Sequence, residues 1–299
     1  MLDTLLPNLP KRRFERYAEP FCGGGAMFFR LAADNRFERA FLADKNPDLV
    51  TLYRVIKTDV EPLIALLRDI EEAHHERSPE DRSAHFYDVR RRSTDGMAPL
   101  DRAARLIFLN RTCFNGLWRV NGSGQFNVPF GKYAKPKILD VEVLRSANQA
   151  LARATVVQGD FAEVLGELRR DDFAYFDPPY VPVSKTSNFT AYGVDRFGPE
   201  EQERLLREIV ELKKRGVHAM LSNSAAPKTR ELYEQHNLSV QTVKAGRSIN
   251  SNPSKRGNVD ELVVTTYEVT GDRLTPIQPV SAAAPAVRRA RRACLGRGA

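Results

Sequence analysis

Short apolar runs bounded by turn-forming residues alternate with stretches of 3.6-residue periodicity through most of the chain. The runs over 17–21, 40–43, 155–158, 173–176, 218–222, 239–244 and 261–268 read as strands, enough for one seven-stranded sheet. Amphipathic patterns predict helices over 26–33, from 47 onward, and over 142–151, 200–215 and 227–235. Pro47, Pro199 and Pro227 stand where a first helical turn accepts a proline. Strand and helix in alternation predict an α/β fold with a mainly parallel sheet covered on both faces. The rhythm breaks between 55 and 138, where helical patterns over 60–76 and 99–110 lead into a loop-rich segment around Asn121-Gly122-Ser123-Gly124. The simplest organisation is a discontinuous α/β domain, 1–54 with 139–270, carrying 55–138 as an inserted helical subdomain. Residues 271–299 have no apolar periodicity and cannot offset the entropy of ordering, so a disordered tail is expected there.

Composition narrows the class. With 299 residues, 42% hydrophobic and 28% charged, the chain can bury a full core. No run approaches the roughly 18 apolar residues of a membrane helix, and no basic-then-apolar leader opens the sequence, so a cytoplasmic protein is expected. Cys22, Cys113 and Cys294 are odd in number and lack any C-x-x-C pairing, which predicts neither disulfides nor a zinc site. His74 and His75 fall in a charged helical stretch and read as solvated; no metal is expected. Of the net charge of +8, the tail contributes +5, from six arginines against Asp272. A sharper signal lies inside the insertion: Arg102, Arg105, Arg111, Arg119, Lys132, Lys135 and Lys137 occur with no acid among them. Phe114, Trp118, Phe126, Phe130 and Tyr133 are interleaved. A one-signed aromatic segment suits phosphates and unstacked bases, although a solvated basic surface would have the same composition.

Candidate chemistry gathers at the ends of the expected strands, the edge where open α/β sheets bind ligands. Glu19-Pro20-Phe21-Cys22-Gly23-Gly24-Gly25 joins the first strand to the first helix. Its glycines permit close approach of a nucleotide-like ligand. The loop has neither G-x-G-x-x-G spacing nor the Lys-Ser/Thr of a P-loop, so pyrophosphate is disfavoured. Asp44 ends the second strand, where a carboxylate takes ribose hydroxyls, and Asp160 ends the third, within reach of an adenine amine. Either acid alone would serve equally as a cap; the ordered series describes an adenosyl pocket without phosphates. Asp177-Pro178-Pro179-Tyr180 follows the fourth strand and combines an acceptor, two residues without a backbone donor, and an aromatic face. That set suits a planar amine: acceptors at both N–H groups favour a pyramidal nitrogen, while Tyr180 stacks on the ring.

Several motifs in order resemble the Dam family of DNA adenine-N6 methyltransferases, over about 17–268. They are the Glu19-Pro20-Phe21 glycine loop, Asn110-Arg111-Thr112-Cys113-Phe114-Asn115-Gly116-Leu117, and Phe126-Asn127-Val128-Pro129-Phe130-Gly131. Asp177-Pro178-Pro179-Tyr180 with Ser187-Asn188-Phe189-Thr190-Ala191-Tyr192, Ser248-Ile249 and Val259-Asp260-Glu261-Leu262 complete the set. The resemblance implies a Rossmann-like class I methyltransferase fold with a seven-stranded sheet, S-adenosylmethionine as methyl donor, and a flipped adenine in double-stranded DNA as acceptor. It places cofactor binding on Glu19, Pro20, Phe21, Gly23, Gly25, Asp44, Asp160, Phe161 and Asp177, and catalysis on Asp177 to Tyr180. It implies a DNA-recognition segment over 114–133. Phe114 would enter the space left by the target base, Arg119 would read guanine, and Leu117 and Pro129 would meet a thymine methyl, as in a GATC reader. Arg111, Asn115, Asn127 and Tyr133 would join them, and Asn188, Phe189 and Tyr192 would close over the base. A monomer is expected.

The family's opening Trp-x-Gly-Gly-Lys has no counterpart ahead of 2–9. Misassigned or lost N-terminal residues are the expected cause, since Lys11, Arg12 and Arg13 stand too late to replace it. Competing readings are an impaired DNA-binding remnant, an adenine methylase of RNA, and amino-methylases of cytosine N4 or protein glutamine. Those last two usually carry Ser or Asn where Asp177 stands.

Overall fold

The computed structural model describes residues 2–122, 124–180, 197–246 and 258–269. A short helix, α1 (Leu2–Leu5), precedes β1 (Phe14–Glu19), α2 (Ala26–Ala33), β2 (Phe37–Asp44) and α3 (Pro47–Thr58). Three further helices follow: α4 (Val60–Glu76), α5 (Pro79–Arg91) and α6 (Pro99–Thr112). After them come α7 (Val141–Leu151), β3 (Ala154–Gln158), a 3-10 segment (Phe161–Glu167), β4 (Phe173–Phe176) and α8 (Pro199–Lys214). The chain then forms β5 (His218–Ser224), α9 (Pro227–Glu234), β6 (Ser239–Gly246) and β7 (Asn258–Thr265).

One seven-stranded sheet has the order β3-β2-β1-β4-β5-β7-β6. The first five of these strands pair in parallel, and β7 runs antiparallel between β5 and β6. Strand order reverses between β1 and β4, where Ala18 lies level with Ala174, so the crevice for a ligand opens between those two strand ends. Alternation places Tyr17 and Phe173 in a stacked aromatic layer on one face, 5.8 Å apart. Ala18 and Ala174 face the other, under Leu205, Ile209 and Tyr233.

The expected strands and helices are present, with informative shifts. β1 covers Phe14–Glu19 rather than 17–21, because Pro20 lacks the N–H that would continue a ladder. Helix α5 went unseen in the sequence pattern. Six of its thirteen residues are charged and only Phe86 and Val89 are buried, while Ser78 caps it by accepting from the Asp81 amide. Helix α3 runs continuously through 54 and 55, and the buried cluster under it unites Tyr17 and Phe37 of the sheet with Leu63, Phe108 and Cys113 of the insertion.

His74 overturns its expected solvation. It is 0% exposed, and neither ring nitrogen has a hydrogen-bond partner; Phe108 packs edge-on against it at 5.5 Å. Burial, followed by the nearby Arg82 charge, lowers its pKa to about 4. The unfolded chain therefore binds a proton that the folded protein refuses, and stability falls as pH drops from 6.5 towards 4. His74→Leu is expected to stabilise the protein by about 1–3 kcal/mol and to flatten that decline, as read from urea unfolding at pH 7 and pH 5.

Candidate active site

The turn after β1 is shaped by steric necessity. Gly25 has φ 64°, and a Cβ there would lie 3.0 Å from both the Phe29 ring and the Tyr53 hydroxyl. Tyr53 donates to the Gly23 carbonyl at 2.7 Å. The Gly23 amide donates to Asp44 Oδ2 at 2.9 Å, and the Asn46 amide to Oδ1 at 2.8 Å. Asp44 is thereby fixed against the glycine turn. Burial raises its pKa, and these two amides oppose the shift.

Glu19, at the end of β1, is 2% exposed and accepts from the Tyr17 hydroxyl at 2.6 Å. Burial pushes its pKa up to about 8, against the Tyr17 bond, and the charge on Asp177 adds to the rise. Asp177 follows β4 directly. The residue as a whole is exposed, yet desolvation of its carboxyl by the surrounding protein raises its pKa against bonds from Ser222 and Tyr180. Pro178 is buried and Pro179 half-buried, and the Tyr180 hydroxyl donates to Glu261 Oε2 at 3.2 Å. Glu261 reaches this site from β7; the sequence pattern had marked it only as part of a motif.

Asp160 takes the capping role that its position left open and gains an ion pair as well. It caps the 3-10 segment through the Ala162 amide, and Arg204 of α8 grips both its oxygens at 2.7 and 2.6 Å. That pairing lowers its pKa. The same guanidinium lies 4.0 Å over the Phe161 ring, whose centroid is 5.2 Å from that of Phe21 in a stacked arrangement. Arg204 was not foreseen, since a basic residue on an amphipathic helix has no distinguishing sequence signal. Asp160, Asp44, Glu19 and Asp177 thus terminate four adjacent strands, a line about 14 Å long at the usual strand spacing. Among the described residues, Arg204 and Lys45 both pair with this line at its Asp160 end.

The insertion presents a folded-back loop. Cys113 bridges to Phe130 and Val120 to Phe126, and a Cβ on Gly131 would collide with the Cys113 carbonyl. Arg111, Phe114, Asn115, Arg119, Pro129 and Tyr133 are exposed on it, and Leu117 and Asn127 half-buried. Phe114, at 47%, is an apolar ring left in water. Arg119 is oriented by Asn127, donating from Nε to Oδ1 at 2.7 Å and from Nη2 to the carbonyl at 3.2 Å. The Tyr133 hydroxyl accepts from the Asn115 amide, and Trp118 packs on Phe126 at 5.0 Å. Besides Arg119, three of the seven basic residues are engaged internally: Arg102 pairs with Asp48, Arg105 donates to the carbonyls of Val89 and Arg90, and Lys137 pairs with Asp140. Arg12 and Arg13 bind Asp171 and Asn35, at the opposite edge of the sheet from the glycine turn. Asn188, Phe189, Tyr192, Ser248, Ile249 and the tail lie outside the described residues. Among the described residues there is no metal-ligating cluster, and no helix is long and apolar enough to cross a membrane.

A mainly parallel sheet reversing between β1 and β4, with a glycine turn and acids along the adjoining strand ends, defines a Rossmann-like fold. The profile of the D12 class N6 adenine-specific DNA methyltransferases matches residues 1–249, and the chain belongs to that family. It is 39% identical to the type II methyltransferase M1.LlaDCHI of Lactococcus lactis subsp. cremoris, over 88% of this chain and 91% of that protein. It is 38% identical to the type II methyltransferase M.MjaIII of Methanocaldococcus jannaschii, over 89% and 95%. To the DNA adenine methylase of Escherichia coli K12 it is 36% identical, over 88% and 90%.

Glu19 gives the site a measurable signature. Folded protein retains a proton that the unfolded chain has released between pH 4.5 and about 8, so this group costs stability as pH rises through that window. Glu19→Gln is expected to remove that slope, and unfolding midpoints between pH 6.5 and 8.5, where His74 no longer contributes, should show it. An equal slope in both proteins would place the titration elsewhere.

Proposed function

We propose that this chain transfers the methyl group of S-adenosylmethionine to the exocyclic amine of an adenine flipped out of double-stranded DNA, within a GATC-like site. The observation that carries this reading is Asp177. It stands as an acceptor beside two prolines at the β1–β4 crevice, at one end of a line of carboxylates. The residues suit the donor: Gly23 and Gly25 permit close backbone approach, Asp44 is placed for ribose hydroxyls, and Glu19 and Asp177 favour a positively charged ligand. Arg204 keeps Asp160 ionised, so its remaining lone pairs can accept from an adenine amine. When bound, S-adenosylmethionine supplies an electrophilic methyl on a sulfonium.

Asp177 and the Pro178 carbonyl accept the two N–H bonds of the target amine and turn its lone pair towards that methyl. Tyr180, held by Glu261, offers a ring for the extruded base, a contact worth roughly 1–3 kcal/mol. Exposed Phe114 suits the gap left in the duplex, and Arg119, held by Asn127, reads guanine. Leu117 and Pro129 supply contacts to a thymine methyl, and Arg111, Asn115 and Tyr133 complete the interface. The bacterial relatives favour a cytoplasmic enzyme, and nucleoid association and a monomeric state are proposed with it.

Labelled-methyl transfer to matched duplex DNA, scrambled duplex, RNA and protein tests the assignment. Incorporation at adenine N6 of GATC duplex is expected, and label in RNA alone would overturn it. Asp177→Ala is expected to lose about 10²- to 10⁴-fold in turnover while keeping its melting temperature and DNA affinity. Arg119→Ala should relax sequence choice by roughly 1–3 kcal/mol, read as the turnover ratio between GATC and singly altered sites.

A further inference from the structure

The described residues place a second hydroxyl pair behind the carboxylate that the proposed chemistry uses. Ser222 lies on β5 one residue past Leu221, which pairs with Phe176 of β4, so its side chain sits beside Asp177. Ser222 is 0% exposed and Tyr175 4%. Ser222 Oγ is 2.8 Å from Asp177 Oδ1 and 3.0 Å from the Tyr175 hydroxyl, and 3.5 Å from the Phe176 carbonyl.

Proton counting gives these contacts a direction. Asp177 as a carboxylate can only accept, so Ser222 spends its one proton there, on the nearer and charged acceptor. Tyr175 then donates to Ser222. Two hydroxyls line up towards one carboxylate oxygen.

We propose that Ser222, backed by Tyr175, is a positioning residue for the methyl-transfer reaction: it engages Asp177 Oδ1 and thereby presents Oδ2 as the acceptor for the target amine. This rests on the reading of Asp177 given above. Asp177 is exposed just past a strand end, where two side-chain torsions would otherwise be free. A bond to one oxygen fixes the carboxylate plane. The same bond opposes protonation, which matters because a protonated Asp177 would present an O–H donor to an N–H donor. Of the other titratable groups around it, Glu19 from β1 and Glu261 from β7 are acids, Tyr175 reaches Asp177 through Ser222, and Tyr180, which also bonds Glu261, opposes protonation of Asp177 less than Ser222 does.

The test compares turnover of the full chain on GATC duplex with Ser222→Ala, Tyr175→Phe and the double variant, using Asp177→Ala as reference. Ser222→Ala is expected to lower kcat about ten- to a hundredfold, with KM for methyl donor and DNA within about twofold, and to move the acid limb of the kcat profile to higher pH. Tyr175→Phe should give a smaller loss in the same direction, and the double variant no more than Ser222→Ala alone, since both act through one bond. An unchanged kcat and acid limb in Ser222→Ala, or losses that multiply in the double variant, would overturn the proposal. Should Ser222→Ala fail to fold, Tyr175→Phe decides by the same limb: a shift supports the relay and no shift overturns it. Inactive wild-type protein, or active Asp177→Ala, would instead refute the reading of Asp177 itself.

Discussion

Parallel pairing is the constraint on which the rest depends. β3, β2, β1, β4 and β5 run in one direction, so their carboxyl ends share an edge, and whatever follows each strand is brought together there regardless of distance along the chain. Asp160, Asp44, Glu19 and Asp177 are spread over about half the sequence yet occupy adjacent positions. Ser222 joins them by the same rule. Reversal of strand order between β1 and β4 then parts the helices, leaving a crevice between Glu19 and Asp177 instead of a packed interface.

Crowding acids at such an edge is unfavourable, and the structure shows how each is held. Asp44 uses two backbone amides, Asp160 a bidentate arginine, Asp177 the Ser222 hydroxyl. Glu19 takes the Tyr17 hydroxyl and the Phe28 amide and, against both, burial favours its protonated form. An edge arranged in this way favours a cation, which the proposed methyl donor carries. At the Asp160 end Arg204 supplies the positive charge and covers one face of Phe161.

The segment after α6 holds an irregular loop in one shape, with Phe114 and Arg119 exposed. Helices α4 to α6 share one continuous core with the sheet, so the loop is anchored to it. Gly131 allows the chain to close against Cys113, and Asn127 holds Arg119 by both side chain and backbone. Within the basic stretch, position decides role: Arg102 and Arg105 tie helices together, while Arg111 and Arg119 face out.

What the sequence determined by itself was local. Apolar runs of strand length, prolines at helix starts, the glycine turn and Asp177-Pro178-Pro179-Tyr180 are each written in a few consecutive residues, so the α/β class and most of the acid series were legible. Partners across the sheet were not, because a serine on one strand and an aspartate after another meet only through register. Ser222, Glu261 and Arg204 were invisible as site residues for that reason. Helix α5 was missed because its two buried apolar residues sit among charges. His74 was misread because its burial comes from Phe108 on a distant helix, and its neighbours in sequence are polar. Local chemistry follows from composition and spacing; which groups share one low-dielectric recess depends on packing between elements far apart in the chain.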